Sequence, residues 1–442
     1  MEISELYSIF KEHPVVTTDS RDCPSGSIFF ALKGASFNGN AFAMKALKQG
    51  CAFAVVDEKE YAPETDKRFI LVDDCLKTLQ LLANFHRRAL GTRIIGITGT
   101  NGKTTTKELV ATVLQKKYNV LYTQGNFNND IGVPKTLLRL TAEHEVAVVE
   151  MGASHPGDIK TLVDIVEPDC GIITNVGKAH LQGFGSFEGV IRTKGELYDF
   201  LRKNGSPVFV NADDSILKNI AGAMPVAFYG TDKQNAYLTV CGHVVECAPT
   251  LTFSWAAKCR EPFAESSFGE GHVVKTHLIG SYNLYNMLAA ACIGTVFGVS
   301  ENDITDALSD YVPTNNRSQL EHTASNWLIV DTYNANPTSM RAALENFRDM
   351  AVEHKMAIIG DMRELGAVSG EEHQRVVDFL NETGLTDVWL VGEEFAKTDC
   401  TFRKFHDVEE VKAAIKAQKP EGKYILIKGS NGIKLFQLPE LL

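Results

Sequence analysis

Short apolar, β-branched runs alternate with stretches of helical period along most of the chain. In the first ninety or so residues, Ser27 to Leu32, Cys51 to Val56 and Ile70 to Val72 read as strands, and Ala41 to Gln49 and Asp74 to Leu90 as helices. A second set follows: strand candidates Ile94–Thr98, Val146–Met151, Gly171–Val176 and Val208–Asn211 alternate with helices. Within it, Lys103 to Lys116 spaces Leu109, Val110, Val113 and Leu114 along one helical face, and Phe187 to Lys203 is a longer amphipathic helix. From Tyr237 to Ile279 polar and apolar residues alternate without helical period, which predicts an antiparallel β-insert before a helix over Ser281 to Val299. Beyond Pro313 the alternation resumes with strands Trp327–Val330, Ala357–Gly360, Val388–Val391 and Tyr424–Ile427. The pattern predicts an α/β protein built from successive, mainly parallel sheets.

In such sheets ligands gather beyond the carboxyl ends of the strands. Those ends are polar here. The first strand of the second set runs into Gly99-Thr100-Asn101-Gly102-Lys103-Thr104-Thr105, a glycine-bearing turn that opens a helix. Backbone N–H groups and the helix dipole make that turn an anion cradle. Lys103 would reach terminal phosphates, and the Thr104 hydroxyl would bind Mg2+. The common phosphate-loop pattern places a glycine five residues before Gly102, where Ile97 stands, so the loop is a variant. The competing reading is a polar turn with a chance Gly-Lys-Thr; the flanking strand and helix favour nucleotide binding.

Glu150 and the stretch Asn175 to His180 fall at the same sheet edge, which suggests a metal site beside the phosphates. Lys194 lies in the middle of the apolar face of the Phe187–Lys203 helix, where an ammonium must be paired, snorkel to water or be modified. Asn283 and Asn286, three apart, share one helical face and can read an adenine edge; Asn is also common near helix starts. Ser20 with Arg21, and Lys33 with Gly34, sit in N-terminal loops that combine a cation with small polar residues, suited to a phosphate or sugar or simply to surface turns. No GxGxxG follows any strand, which argues against a dinucleotide cofactor.

Composition narrows the class. A chain of 442 residues allows two to four domains, and 44% apolar with 22% charged residues is ordinary for a soluble protein. A net charge of −11 argues against a nucleic-acid partner. Nine cysteines without a CxxC pair read as reduced thiols, the N-terminus lacks a signal peptide, and the longest apolar run, Met287 to Val299, is too short to span a membrane. The expectation is a cytoplasmic protein without membrane insertion.

The chain resembles the Mur ligases, ATP-dependent amide-bond-forming enzymes of peptidoglycan synthesis. Shared across that family are Thr98-Gly99-Thr100-Asn101-Gly102-Lys103-Thr104, Glu150, Asn175 with His180, Asn283 with Asn286, Arg317 and Asp331. The stretches Gly125 to Pro134 (with Asn126, Asn128 and Asn129), Glu150 to Ala153, Asp331 to Pro337 (with Asn334 and Asn336) and Gly360 to Gly366 resemble the branch that adds D-alanyl-D-alanine. Two departures are Asn38-Gly39-Asn40, where the family usually has Asp-Gly-His, and Lys428-Gly429-Ser430-Asn431, where it has Lys-Gly-Ser-Arg. The first bears on uridine recognition, the second on dipeptide docking.

The resemblance implies a small α/β N-terminal domain (1–91) that binds the UDP-substrate. It also implies a central P-loop-type ATP-binding domain (92–312), mainly parallel with helices on both faces, and a Rossmann-like C-terminal domain (313–442). It implies that ATP phosphorylates the terminal carboxylate of UDP-MurNAc-tripeptide and that D-alanyl-D-alanine attacks the acyl phosphate. Lys103, Glu150, His180 and Lys194 would be the catalytic residues. One Mg2+ would lie at Thr104 and Glu150, and a second near His180 and a carbamylated Lys194. Asn283, Asn286, Arg317 and Asp331 would surround the nucleotide, and Ser20, Arg21, Lys33, Gly34, Asn126, Asn128, Asn129, Asn334 and Asn336 the other substrates. A monomer is expected. The alternatives are another Mur-type or folylpolyglutamate synthase-like ligase, and a catalytically dead binding module.

Overall fold

The computed structural model describes residues 1–258, 268–313 and 319–442. Three sheets follow one another along the chain. The first has strands β1 (Val16–Thr17), β2 (Ile28–Phe30), β5 (Phe53–Val56) and β6 (Phe69–Leu71) in the order β1-β2-β5-β6, all parallel; β3 (Lys33–Gly34) and β4 (Phe37–Asn38) form a separate hairpin. The helix Cys75–Leu90 closes this unit: Asp74 caps its start through the Lys77 N–H, and Gly91 ends it in a left-handed conformation. Its apolar face joins the core that also holds Ile94, Val133 and Val149 of the next unit.

The second sheet has nine strands: β7 (Arg93–Thr98), β8 (Val120–Tyr122), β9 (Val146–Glu150), β10 (Cys170–Ile173), β11 (Val208–Asn211), β12 (Val226–Gly230), β13 (Leu238–Cys247), β14 (Thr250–Ala257) and β15 (His272–Ile279). Their order is β15-β14-β13-β12-β11-β10-β7-β9-β8. From β13 to β8 neighbouring strands run parallel; β13, β14 and β15 pair antiparallel. The alternating Tyr237–Ile279 stretch is therefore antiparallel as expected, but it prolongs the main sheet instead of forming a body of its own. The helix expected from Ser281 opens as a 3-10 turn, Ser281–Asn283, and becomes α-helical over Leu284–Val296. β8 and β12 escaped the sequence pattern because a three-residue run and a half-buried one carry little apolar contrast.

The third sheet has β16 (Gln319–His322), β17 (Trp327–Asp331), β18 (Lys355–Gly360), β19 (Val388–Val391), β20 (Arg403–Phe405) and β21 (Tyr424–Lys428), in the order β16-β17-β21-β18-β19-β20. Only β16 is antiparallel. The last strand in sequence thus lies at the centre of its sheet, between β17 and β18. Among the described residues no helix is long and apolar enough to cross a membrane.

Candidate active site

The C-terminal end of β7 leads into the turn Gly99–Gly102. Gly99 has φ 144°, and a Cβ there would stand 2.0 Å from Thr174 Oγ1; Gly102 has φ 76°, with the Asn286 side chain 2.6 Å from where its Cβ would be. Neither position has room for a side chain, so the backbone approaches its neighbours as a phosphate cradle must. The two residues that follow β10 hold the turn from the side: Thr100 N donates to Asn175 O (2.9 Å), Asn101 N to Asn175 Oδ1 (2.9 Å), and Thr174 Oγ1 to Asn101 O (2.7 Å). Lys103 opens the following helix and folds its Nζ onto Gly99 O (2.9 Å) and Thr100 O (3.0 Å).

Thr104 and Glu150 meet as expected. The Thr104 hydroxyl donates to Glu150 Oε2 at 2.9 Å, and Asn128 Nδ2 donates to Oε1 at 2.8 Å. Glu150 is 1% exposed, its N–H fixed by the Thr123 hydroxyl at 3.0 Å. Sequence reasoning passed over Thr123, whose only signal is its place at the end of a short strand.

Asn286 Oδ1 accepts from Thr106 Oγ1 (3.1 Å), its Nδ2 donates to Asn283 Oδ1 (2.8 Å), and Asn283 Nδ2 donates to Ile279 O (2.8 Å). This chain of amides ties the end of β15 to the phosphate-loop helix and flanks the same cavity.

Lys194 is 2% exposed, with Nζ 3.5 Å from Ala153 O and 5.4 Å from the Phe184 ring centre. Burial, reinforced by the charge of Lys103, pushes its ammonium down to about 7. His180 has φ 49° and an Nδ1 that lies 2.5 Å from Glu364 Oε2 of the third unit, at ion-pair distance but out of hydrogen-bond alignment. Burial lowers the His180 pKa, against the raising influence of Glu364.

A cavity of about 860 Å³ opens among these groups, with Thr104 and Lys194 set behind its lining residues Glu150 and Ala153. Thr100 to Lys103, Asn128, Asn129, Glu150, His180, Asn283 and Asn286 line it from the second unit, and Asp331, Tyr333, Asn334, Thr338 and Lys428 from the third. Lys428 is 1% exposed and pairs with Asp331 Oδ2 at 2.5 Å. Asn336 Nδ2 bonds Asn101 Oδ1 at 2.8 Å while its own Oδ1 caps the helix Pro337–Asp349. Lys178 reaches Glu372 at 3.0 Å, and its N–H donates to Thr338 Oγ1 at 3.1 Å. Arg317 lies outside the described residues.

The N-terminal candidates are not brought to this cavity. Arg21, exposed, is bidentate on Asp19. Lys33 Nζ lies 2.9 Å from both Asp57 and Glu58, and Gly34 sits in the hairpin beside it. Ser20 lies in the Thr17–Asp22 turn, closed by a 2.8 Å bond from Thr17 Oγ1 to Asp22 O, and Asn126 is exposed at the tip of its loop. Asn40, where the departure from Asp-Gly-His falls, is buried; its amide accepts from Asp57 N at 3.0 Å and donates to Asp57 Oδ1 at 2.8 Å.

Oxygen donors at Thr104 and Glu150 suit Mg2+, which prefers two or so protein ligands completed by phosphate oxygens and water. Among the described residues no group of three or more His, Cys, Asp or Glu could hold a metal without such help.

Three stretches match known domains: residues 14–87 the Mur ligase family catalytic domain, 97–294 the Mur ligase middle domain, and 316–431 the Mur ligase glutamate ligase domain. The UDP-N-acetylmuramoyl-tripeptide–D-alanyl-D-alanine ligase of Bacillus subtilis is 32% identical over 443 aligned positions, covering 96% of this chain and 92% of that protein. The crystal structure of MurF from Acinetobacter baumannii superposes with a TM-score of 0.84 at 30% identity, over 96% of this chain and 92% of the other. MurF from Thermotoga maritima, solved in complex with ADP, gives a TM-score of 0.84 at 26% identity, over 97% and 96%. With relatives this similar along nearly its whole length, the chain belongs to the Mur ligase family.

Proposed function

We propose that this protein is an ATP-dependent, ADP-forming ligase that joins D-alanyl-D-alanine to the terminal carboxylate of UDP-N-acetylmuramoyl-tripeptide in peptidoglycan synthesis. One observation carries the reading: the phosphate-loop turn and Glu150 line one cavity, with Thr104 bonded to Glu150 and the buried Lys194 3.5 Å from the lining residue Ala153, in a chain similar throughout to ligases of that name.

The chemistry accounts for the residue types. A carboxylate is a poor electrophile until one oxygen becomes a leaving group, and phosphorylating it brings anion against anion. Lys103 leaves its two carbonyl partners to meet the transferring phosphoryl group, and the loop N–H groups hold the rest of the triphosphate. Asn283 and Asn286 border the nucleotide on one side and Asp331 on the other. Mg2+, held through Thr104 and Glu150, would neutralise charge on the phosphates. The residues also fit a second Mg2+ near His180 if Lys194 is carbamylated. An ammonium has no lone pair to offer a metal, whereas a neutral amine reacts with CO2 to an anionic oxygen donor. Asn334, Asn336 and Thr338 cover the site from the third unit and keep water from the acyl phosphate until the dipeptide amine attacks.

The test is ADP release from the full chain with UDP-MurNAc-tripeptide and a panel of amines. D-alanyl-D-alanine should be required for turnover. Equal turnover with glutamate or a single diamino acid would shift the assignment to another ligase of the family, and none with any amine would favour a binding module.

A further inference from the structure

His180 and Glu364 meet across the boundary between the second and third units, and both have a left-handed backbone: φ is 49° at His180 and 64° at Glu364. Residues with a Cβ keep that conformation only where their surroundings impose it. Both loops are held in this way. In the third unit the residues after β18 are pinned one by one. The buried Asp361 carboxylate accepts from Glu394 N and Phe395 N (both 2.9 Å), Met362 N donates to His373 Nε2 (3.0 Å), and Arg363 N donates to Ser430 Oγ (3.0 Å). Glu364 comes next, and its carbonyl accepts from Gln182 N of the second unit at 3.3 Å. On the other side, His180 opens the short helix Leu181–Phe184, where a Cβ at Gly183 would stand 2.1 Å from Ser154 O. That turn is seated closely against a residue of the cavity wall.

The Glu364 side chain is 57% exposed, so it fills no core. It reaches His180 Nδ1, with Oε2 at 2.5 Å from an atom that is shut off from solvent. A carboxylate oxygen and a bare imidazole lone pair would repel at that distance, so Nδ1 is the nitrogen that carries a proton. The ring itself lines the cavity. With its Nδ1 edge closed, the edge left open is the one that carries Nε2.

We propose that Glu364 is a positioning residue for His180: from the third unit it fixes the Nδ1–H tautomer and the orientation of the ring, so that Nε2 offers its lone pair to the cavity. The inference rests on the proposed function, which gives that lone pair its use. Held there, it can bind a cation or accept a proton; the other tautomer presents an N–H and can do neither. Because the carboxylate comes from a different unit, His180 reaches this state only when the two units are docked.

Nitrogen-15 spectra of the histidine-labelled full chain, saturated with ADP in mildly alkaline buffer where imidazoles are neutral, test the tautomer. Of the 12 histidines, His180 is identified by the signal missing from His180→Gln. In the parent, His180 should carry its proton on Nδ1. In Glu364→Ala it should revert to the Nε2–H form that free imidazole side chains favour. ADP release should fall by roughly tenfold in kcat, as when the outer partner of a working histidine is removed, while the calorimetric Kd for ADP stays at the parent's value. The same tautomer in parent and variant overturns the inference, and so does an unchanged kcat. A weakening of ADP binding as large as the loss in kcat overturns it too, since that marks a contact that merely holds the units together. The spectra need no amine substrate, so failure of D-alanyl-D-alanine to support turnover would strike the ligase reading and leave the tautomer result standing. Thermal melting checks that the Ala variant folds; Glu364→Gly, which suits the left-handed backbone, is read in the same way if it does not.

Discussion

Asn336 and Asn101 form a hydrogen bond of 2.8 Å between the cap of a helix in the third unit and the phosphate loop of the second, 235 residues apart in sequence. The two side chains are coupled to the backbone on both sides: Asn336 caps Ser339 N at 2.9 Å, and Asn101 N is held by Asn175. The contact reports whether the two units are closed over the cavity. Asn336→Ala should cost about 1 kcal/mol of helix capping and loosen closure as well. Small-angle scattering with a non-hydrolysable ATP analogue should then show a larger radius of gyration than the parent under the same conditions. Identical profiles at confirmed saturation would count against a closing role.

Lys103→Ala should leave the fold intact, since the side chain bonds carbonyls of its own loop, Gly99 O and Thr100 O. Turnover should fall by roughly a hundred- to a thousandfold, or about 2.7–4 kcal/mol, as when one transition-state donor is removed. Near-normal ADP release would remove Lys103 from the phosphoryl-transfer step.

Glu150→Gln preserves size and can keep the bonds to Thr104 and Asn128, but it takes away a buried negative charge. The Mg2+ concentration for half-maximal activity should rise by roughly ten- to a hundredfold. A titration curve that coincides with the parent's would place the metal elsewhere.

Lys194 gives a pH signature with a definite sign. Its folded pKa of about 7 lies below the 10.5 of a free lysine, so between those values the unfolded chain binds the extra proton and stability rises with pH. In CO2-free buffer, Lys194→Met should melt at a higher temperature than the parent near pH 6, and the gap should shrink as pH approaches 10. The same variant should lose activity, and labelled bicarbonate should give a carbamate carbon signal in the parent that the variant lacks. Parallel melting profiles for parent and variant would show that the ammonium is not buried at a cost.

Much of this was legible in the sequence because local rules and tertiary structure agree. Strand, glycine turn and helix are adjacent in the chain at Arg93–Gln115, so their geometry follows from a few residues. Lys194 on an apolar stripe announced its own burial. What could not be read depends on contacts between distant segments: Thr123 beneath Glu150, Lys178 on Glu372, and the carboxylates that occupy Arg21 and Lys33. Periodicity carries no information on which acid a surface cation will find. The β-insert was recognised by its alternation, but its edge-on continuity with β12 depends on parallel pairing that alternation does not encode.

The position of β21 has a consequence for how the protein is made. Strands β17 and β18 do not pair with each other; both pair with β21, which also delivers Lys428 to Asp331. Synthesis runs from the N-terminus, so a nascent chain that has emerged only as far as β20 exposes two apolar strand edges with an open slot between them. The ATP cavity then lacks one wall. Nucleotide turnover therefore waits on the last strand to leave the ribosome, and a chain released before residue 424 would be both inactive and prone to fill the slot with a strand from another molecule.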